Sequence, residues 1–280
     1  MPVHVRYVTD PACARSWGWE PTLRRLELEF EDSIQITYVM GGLARRYAPE
    51  AAATMPAEWL RVAEESGMPF DPRGWWEGPI ASSYPACIAV KAASEQGRSA
   101  GARYLRALRE GLMCFRRKLD TTEALVEEAR RVRLDVERFR IDLASNASVE
   151  ALGGDLEEAR RVPDDAREAG AAVPDAAGGE RVPLPSLVFV GDDGARRGVY
   201  GARVYDEVRD AARRAGAVGG TASPPAPLDA LARFGPMATA ELAAVCGRPE
   251  PLLMAELWSL AAQWRVRPVR VLTGELWEAA

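Results

Sequence analysis

The sequence predicts an α/β fold with a large helical insertion and a small C-terminal domain. Three observations predict it. Two β-patterned segments, "VHVRYV" at 3–8 and "SIQITYVM" at 33–40, flank a helical stretch. Residues from about 50 to 170 are helical by pattern almost throughout. Strand pattern returns at 186–200, and a separate group of three helices and a hairpin closes the chain.

Taken in order, 3–8 alternates as a strand does. Leu23, Leu26 and Phe30 then recur at three- and four-residue spacing, which predicts a helix from Cys13 to about Phe30. The segment 33–40 is a second strand with Ile34, Ile36 and Tyr38 on one face. A β-α-β opening predicts parallel strands and a right-handed crossover. Gly41-Gly42 ends the second strand as a loop.

Several short helices follow, forming an insertion at about 45–180. "PAEWLRVAEESG" has Pro56 as a first-turn signal and Gly67 as a stop. "SSYPACIAVKAASEQG" is capped by Ser82 or Ser83 and stops at Gly97. The later helices open on capping-type residues. Residues 170–183 read as a loop, and Asp192-Asp193-Gly194 as a hairpin turn. "ARVYDEVRDAARRAG" is an amphipathic helix that closes a first domain, 1–216. The Gly-, Pro- and Ser-rich stretch 217–227 has no periodicity and reads as a flexible linker. Residues 228–280 carry three helices and a hairpin, a winged-helix-like pattern expected to fold separately.

Composition excludes several functions. No apolar run approaches the roughly 20 residues of a membrane span, and the opening "MPVHVRYV" has no secretory pattern. A cytoplasmic protein is expected. Four scattered cysteines and a single histidine, His4, make neither a disulfide framework nor zinc spacing, so no metal is expected. All but two of the 36 basic residues are arginine, yet the net charge is −5. Residues 228–280 hold five arginines against six acids, and the helix that would enter a DNA groove carries Glu256 and no basic side chain. Phosphate neutralisation needs a basic face, so nucleic acid is not an expected partner. A docking or dimerising role suits this unit better.

The chemistry concentrates in "DPACARSWGWEP" at 10–21. Cys13 stands at a helix start, where free N–H groups and the helix dipole favour a thiolate. Its pKa is therefore expected to be low, with the Ser16 hydroxyl donating a hydrogen bond and Arg15 either adding positive charge or pointing to solvent. Ser16 occupies the place where a second cysteine would complete a redox pair. With "YVMGGL" at 38–43, "SYPACIAVKAASEQG" at 83–97 and "PLPSLVF" at 183–189, the chain resembles the DsbA family of thioredoxin-like proteins, in its FrnE-like branch. The resemblance covers about 3–216. It implies a thioredoxin-like fold, a catalytic group of Cys13, Ser16 and a cis-proline at Pro185, and a substrate surface involving Arg15, Trp17 and Leu184. Trp17 and Trp19 would supply apolar surface. The serine at 16 departs from the family's CxxC.

The plainer readings remain beside these. Cys13 is also explained as a small buried hydrophobe, and Cys87, Cys114 and Cys246 read as core residues. Trp75-Trp76 reads as core before it reads as a groove. The functional expectation is a monothiol thiol-disulfide oxidoreductase or isomerase acting through Cys13 with an external thiol. The alternatives are a glutathione-dependent transferase or isomerase of the kappa type and a non-catalytic adaptor. No bound cofactor is expected beyond a low-molecular-weight thiol such as glutathione. The expected partners are protein or small-molecule thiols and disulfides, without a membrane; a homodimer is compatible.

Overall fold

A computed structural model describes residues 2–175, 178–220 and 223–280. β1 (Val3–Thr9) and β2 (Ile34–Met40) pair in parallel, with Tyr7 opposite Tyr38. The crossover is two helices, α1 (Ala14–Gly18) and α2 (Glu20–Glu29), where one was expected. The break falls at Trp19, whose ψ is 1°, and Pro21 lies in the first turn of α2. A proline nitrogen has no hydrogen to bond back into the preceding helix, so α1 ends there.

The insertion comprises α3 (Ala51–Ser66), α4 (Gly74–Glu77), α5 (Tyr84–Ser94), α6 (Arg98–Met113), α7 (Thr122–Arg131), α8 (Val136–Leu143), α9 (Asn146–Arg160) and α10 (Asp164–Glu168). Thr121, Asp135 and Ser145 cap α7, α8 and α9 by accepting from Ala124, Arg138 and Ser148 N–H groups. Pro56 lies inside α3, because the alanines before it extend the helix back to Ala51. The expected loop at 170–183 contains a small ladder, β3 (Val173–Pro174) against β4 (Glu180–Arg181). Residues 176–177 of that loop lie outside the described residues.

The chain returns to the sheet as β5 (Ser186–Val190) and β6 (Arg196–Tyr200), followed by α11 (Tyr205–Arg214). Among the described residues the central sheet runs β2-β1-β5-β6, with β5 antiparallel to both neighbours. The Asp192-Asp193-Gly194 turn joins β5 to β6, and Gly194 takes the positive φ that such a turn requires. This is a mixed α/β, thioredoxin-like fold with a helical insertion between its halves.

The C-terminal unit is α12 (Pro227–Phe234), β7 (Met237–Ala238), α13 (Thr239–Cys246), α14 (Glu250–Ala262), β8 (Val266–Val271) and β9 (Gly274–Ala279), with sheet order β7-β9-β8. Leu231, Met237, Leu242, Leu253, Leu257 and Trp277 form a core within it. Ala238, Ala240, Val271 and Leu276 instead join the core of the insertion. Thr273, on the β8–β9 turn, exchanges hydrogen bonds with the Phe70 backbone at 2.7 and 3.2 Å. The unit is therefore seated on the first domain.

The stretch expected to be a linker is partly anchored too. Ala217 is buried, Val218 N donates to Ser33 Oγ at 2.6 Å, and Gly220 N donates to Glu29 O at 2.6 Å. Its composition gives no periodicity, but two of its backbone N–H groups find acceptors at the end of α2 and in the turn before β2. Residues 221–222 lie outside the described residues.

Candidate functional site

The site forms where β1 ends. Asp10, Pro11 and Ala12 turn the chain into α1, and Cys13 is the residue before its first turn, with φ −82° and ψ 108°. Facing it is the Leu184–Pro185 peptide bond, which is cis. Cys13 Sγ lies 3.8 Å from Leu184 O. Gly41 supports this loop from behind: a Cβ there would stand 2.6 Å from Leu184 Cδ2. Glycine is needed for that close approach. Ser16 is one helical turn from Cys13 and fully buried, and its hydroxyl has no hydrogen-bond partner. Cys13, Ser16, Leu184 and Pro185 are thus brought together.

The thiol is not the low-pKa nucleophile that its position predicts. Cys13 is only 5% exposed and sits in an apolar cluster with Val8, Val39, Val162, Val182 and Leu184. Burial is the largest influence and pushes the thiol above its ordinary value. The nearby polar groups of Ser16 and the charge of Arg109 pull it down, Asp10 pushes it up, and burial prevails. A five-residue helix start cannot offset the loss of water. The rate of iodoacetamide alkylation at Cys13 is expected to rise with pH to a midpoint above the free-thiol value of about 8.5. Peptide mass spectrometry, with Cys13→Ser as control, reads it; a midpoint near 7 would contradict the burial argument.

Two expected substrate contacts lie elsewhere. Arg15 turns outward and pairs with Glu58 on α3 at 3.1 Å, so its charge is committed there. Trp17 is fully buried; its indole N–H donates to Pro69 O at 2.9 Å and Arg106 covers its ring at 4.5 Å. It ties α1 to the insertion and presents no surface to a substrate. Trp19 is likewise buried, donating to Arg203 O at 2.7 Å. A shallow groove beside α1 is lined by Arg15, Gly18, Trp19, Arg203 and Val204. Trp75 is core as expected, whereas Trp76 is 64% exposed.

Sequence reasoning missed the polar node behind the thiol. Asp10 is fully buried. Its carboxylate accepts from Ala12 N at 2.8 Å, Leu43 N at 2.6 Å, Ser83 Oγ at 2.8 Å and Cys87 Sγ at 3.2 Å. It joins the Cys13 turn, the Gly41-Gly42 loop and the start of α5. Burial pushes its carboxyl up, against the pull of these four donors. Cys87 is thereby a donor to Asp10 and more than filler. An acid directly after an apolar strand was the available signal. Cys114 and Cys246 are buried, and all four cysteines are unbridged. No group of three or more metal-binding side chains occurs among the described residues, nor does a helix long and apolar enough to cross a membrane.

Comparison with known proteins gives the same architecture. A family model described as thioredoxin (Thioredoxin_5) matches residues 7–162. Among curated proteins, the ClpXP adapter protein SpxH of Halalkalibacterium halodurans is 31% identical over 58% of this chain and 55% of its own length. The protein of that name from Shouchella clausii is 28% identical over 99% of this chain and 88% of its own length. The chain thus spans about half of the first relative and most of the second. Among solved structures, the cytosolic disulfide reductase DsbM of Pseudomonas aeruginosa superposes with TM-score 0.57 at 21% identity, over 75% of this chain and 96% of its own. That protein is also known with GSH (TM-score 0.56). A Nitrosomonas europaea protein presented as a candidate disulfide isomerase superposes with TM-score 0.62 at 19% identity, over 76% and 97% of the two chains. At these identities the likeness is one of fold.

Proposed function

The chain belongs to the thioredoxin family, and from that premise we propose that it acts as an adaptor: a DsbA-like scaffold that binds a protein partner and presents it to an ATP-dependent protease. The observation that carries this reading is the state of the reacting pair. Ser16 stands in place of the resolving cysteine, and Cys13 is sealed among apolar side chains with its thiol pKa raised. Such a centre lacks both the exposure and the second sulfur of a dithiol oxidase. Similarity over almost the whole chain to a protein named as a ClpXP adapter supports the same reading.

The discriminating experiment is complementation. In a strain lacking this chain, turnover of individual proteins is followed by pulse-chase proteomics. Proteins stabilised by its loss should return to normal half-lives with wild type and with Cys13→Ser alike. If Cys13→Ser fails to restore turnover while folding normally, the thiol is required and the adaptor reading falls.

A second reading is monothiol exchange. Cys13 opposite a cis-proline, with a Ser16 hydroxyl to stabilise the departing or attacking sulfur, is a workable exchange centre once exposed. A Cys13 thiolate would attack a disulfide, forming a mixed disulfide and releasing one thiolate. With serine at 16, an external thiol such as glutathione must then attack the mixed disulfide to regenerate Cys13. Treatment with oxidised glutathione tests it: an adduct on Cys13 supports exchange, and its absence leaves the adaptor role alone.

A further inference from the structure

The longest helix of the C-terminal unit, α14, ends in a conformation that packing does not explain. In the turn after it, Trp264 N donates to Ala261 O and Arg265 N to Leu260 O, both at 3.0 Å. Trp264 takes the left-handed position of this turn, with φ 58°. Glycine is the ordinary residue there, because a Cβ crowds the backbone. α3 and α13 follow that rule, ending on Gly67 and Gly247 with φ 68° and 61°. At 264 the chain instead places a tryptophan that is 87% exposed, so burial of the indole does not offset the strain. Strain held without a gain in packing points to a function for the residue.

The surface beside the turn is of the same kind. Leu252, Ala255, Ser259 and Ala262 recur at three- and four-residue spacing on α14 and are all exposed, so they form one uncharged stripe along the helix. Trp258, 40% exposed, stands edge-on to Trp277 at 5.1 Å, and Arg270 covers its ring at 5.6 Å. Exposed tryptophan and arginine are the residues that most often dominate binding between proteins.

Charge selects the occupant. Among the described residues Arg265 makes no ion pair. The acids bordering the surface, Glu256, Glu275 and Glu278, are already held by Arg248, Arg270 and Arg267. A two-fold contact sets a patch against itself, and this patch has no free carboxylate to offer its own arginine. Each copy also carries a net charge of −5. A different protein that brings both apolar and acidic side chains satisfies the stripe, the tryptophans and Arg265 together.

We propose that the outward face of α14 and the Trp264–Arg265 turn form a docking surface for a protein partner, and that the docking segment is a helix with apolar side chains along one face and acidic side chains beside them. The partner's role rests on the adaptor reading; the binding is tested apart from it.

The test uses the full chain and a fluorescein-labelled amphipathic peptide with leucines on one face and glutamates on the other, beside a twin with lysines for the glutamates. Fluorescence anisotropy should show the glutamate peptide binding at least about tenfold more tightly than the lysine twin. Trp264→Gly should bind it at least about tenfold more weakly, yet unfold at the same or a higher urea concentration, since glycine relieves the strain at 264. Arg265→Glu should reverse the preference between the two peptides, and it decides the matter should Trp264→Gly not fold. No binding of the glutamate peptide to wild type, undiminished binding by Trp264→Gly, or an unchanged preference in Arg265→Glu would overturn the proposal. So would a dimer in sedimentation that Trp264→Gly abolishes, which assigns the face to a second copy, or binding to phosphatidylglycerol vesicles in preference to the peptide, which assigns it to a lipid surface. If the adaptor reading alone fails, loss of the chain stabilises no protein in the cell and the peptide affinities stand.

Discussion

Asp10→Ala is expected to lower folding stability by about 4 kcal/mol, since it leaves four buried donors without their acceptor. Each orphaned donor costs roughly 1–3 kcal/mol, reduced where water enters or a hydroxyl rotates. Ser83 can rotate, because its hydroxyl can donate to Ala44 O, 3.4 Å away, in place of Asp10. The two backbone N–H groups, of Ala12 and Leu43, cannot. Asp10→Asn should cost less, about 2 kcal/mol, since one amide oxygen still accepts while the amide nitrogen faces a donor. Urea unfolding followed by tryptophan fluorescence measures both. A loss below about 1 kcal/mol for Asp10→Ala would remove the node from the account.

The pH dependence has a definite sign. Burial raises the Asp10 carboxyl above its ordinary value of 3.8. A group raised in the folded state contributes stability that is full below the unfolded value and lost as pH climbs through the folded one. The deficit of Asp10→Asn against wild type should therefore be larger near pH 4 than at pH 7. Because Asp10 also pushes the Cys13 thiol up, Asp10→Asn should alkylate faster at Cys13 than wild type.

The second large effect is a gain. Ser16→Cys should give the protein an internal disulfide and dithiol oxidase activity at least about tenfold above wild type, because a resolving thiol makes release of the mixed disulfide intramolecular. The two residues stand one helical turn apart at the start of α1, the spacing at which a second cysteine would complete a CxxC pair. Serine cannot serve, since it forms no disulfide and its alkoxide is not available near neutral pH. Peptide mapping of the oxidised protein should join 13 to 16 and leave Cys87, Cys114 and Cys246 as thiols. A disulfide without oxidase activity would locate the block in the apolar seal over Cys13. No disulfide at all, together with no glutathione adduct on wild-type Cys13, would leave the adaptor reading alone.

Much of the scaffold was legible in the sequence. The periods of 3–8, 33–40 and 186–190 specified strands, and the family resemblance placed a cis-proline at Pro185, where the cis bond stands. Turn and cap residues such as Asp193-Gly194, Thr121 and Asp135 marked the ends of elements, because their effects act within four residues. Cys13 at a helix start with Ser16 one turn on followed from the same local rules.

Only the tertiary structure decided whether that thiol is activated. The helix start favours a thiolate, but Ala159, Val162 and Ala166 about α9–α10, with Val182 and Leu184, exclude water from it, and desolvation wins. Arg15 and Trp17 are adjacent in sequence to the nucleophile, yet one pairs with Glu58 and the other fills the core. The Asp10–Ser83 bond spans 73 residues and the Arg106–Glu241 pair 135. Periodicity and motif spacing register contacts a few residues apart. A buried charge takes its meaning from partners that only the folded chain brings within about 3 Å, as Asp10 is met by Ser83 and Arg106 by Glu241.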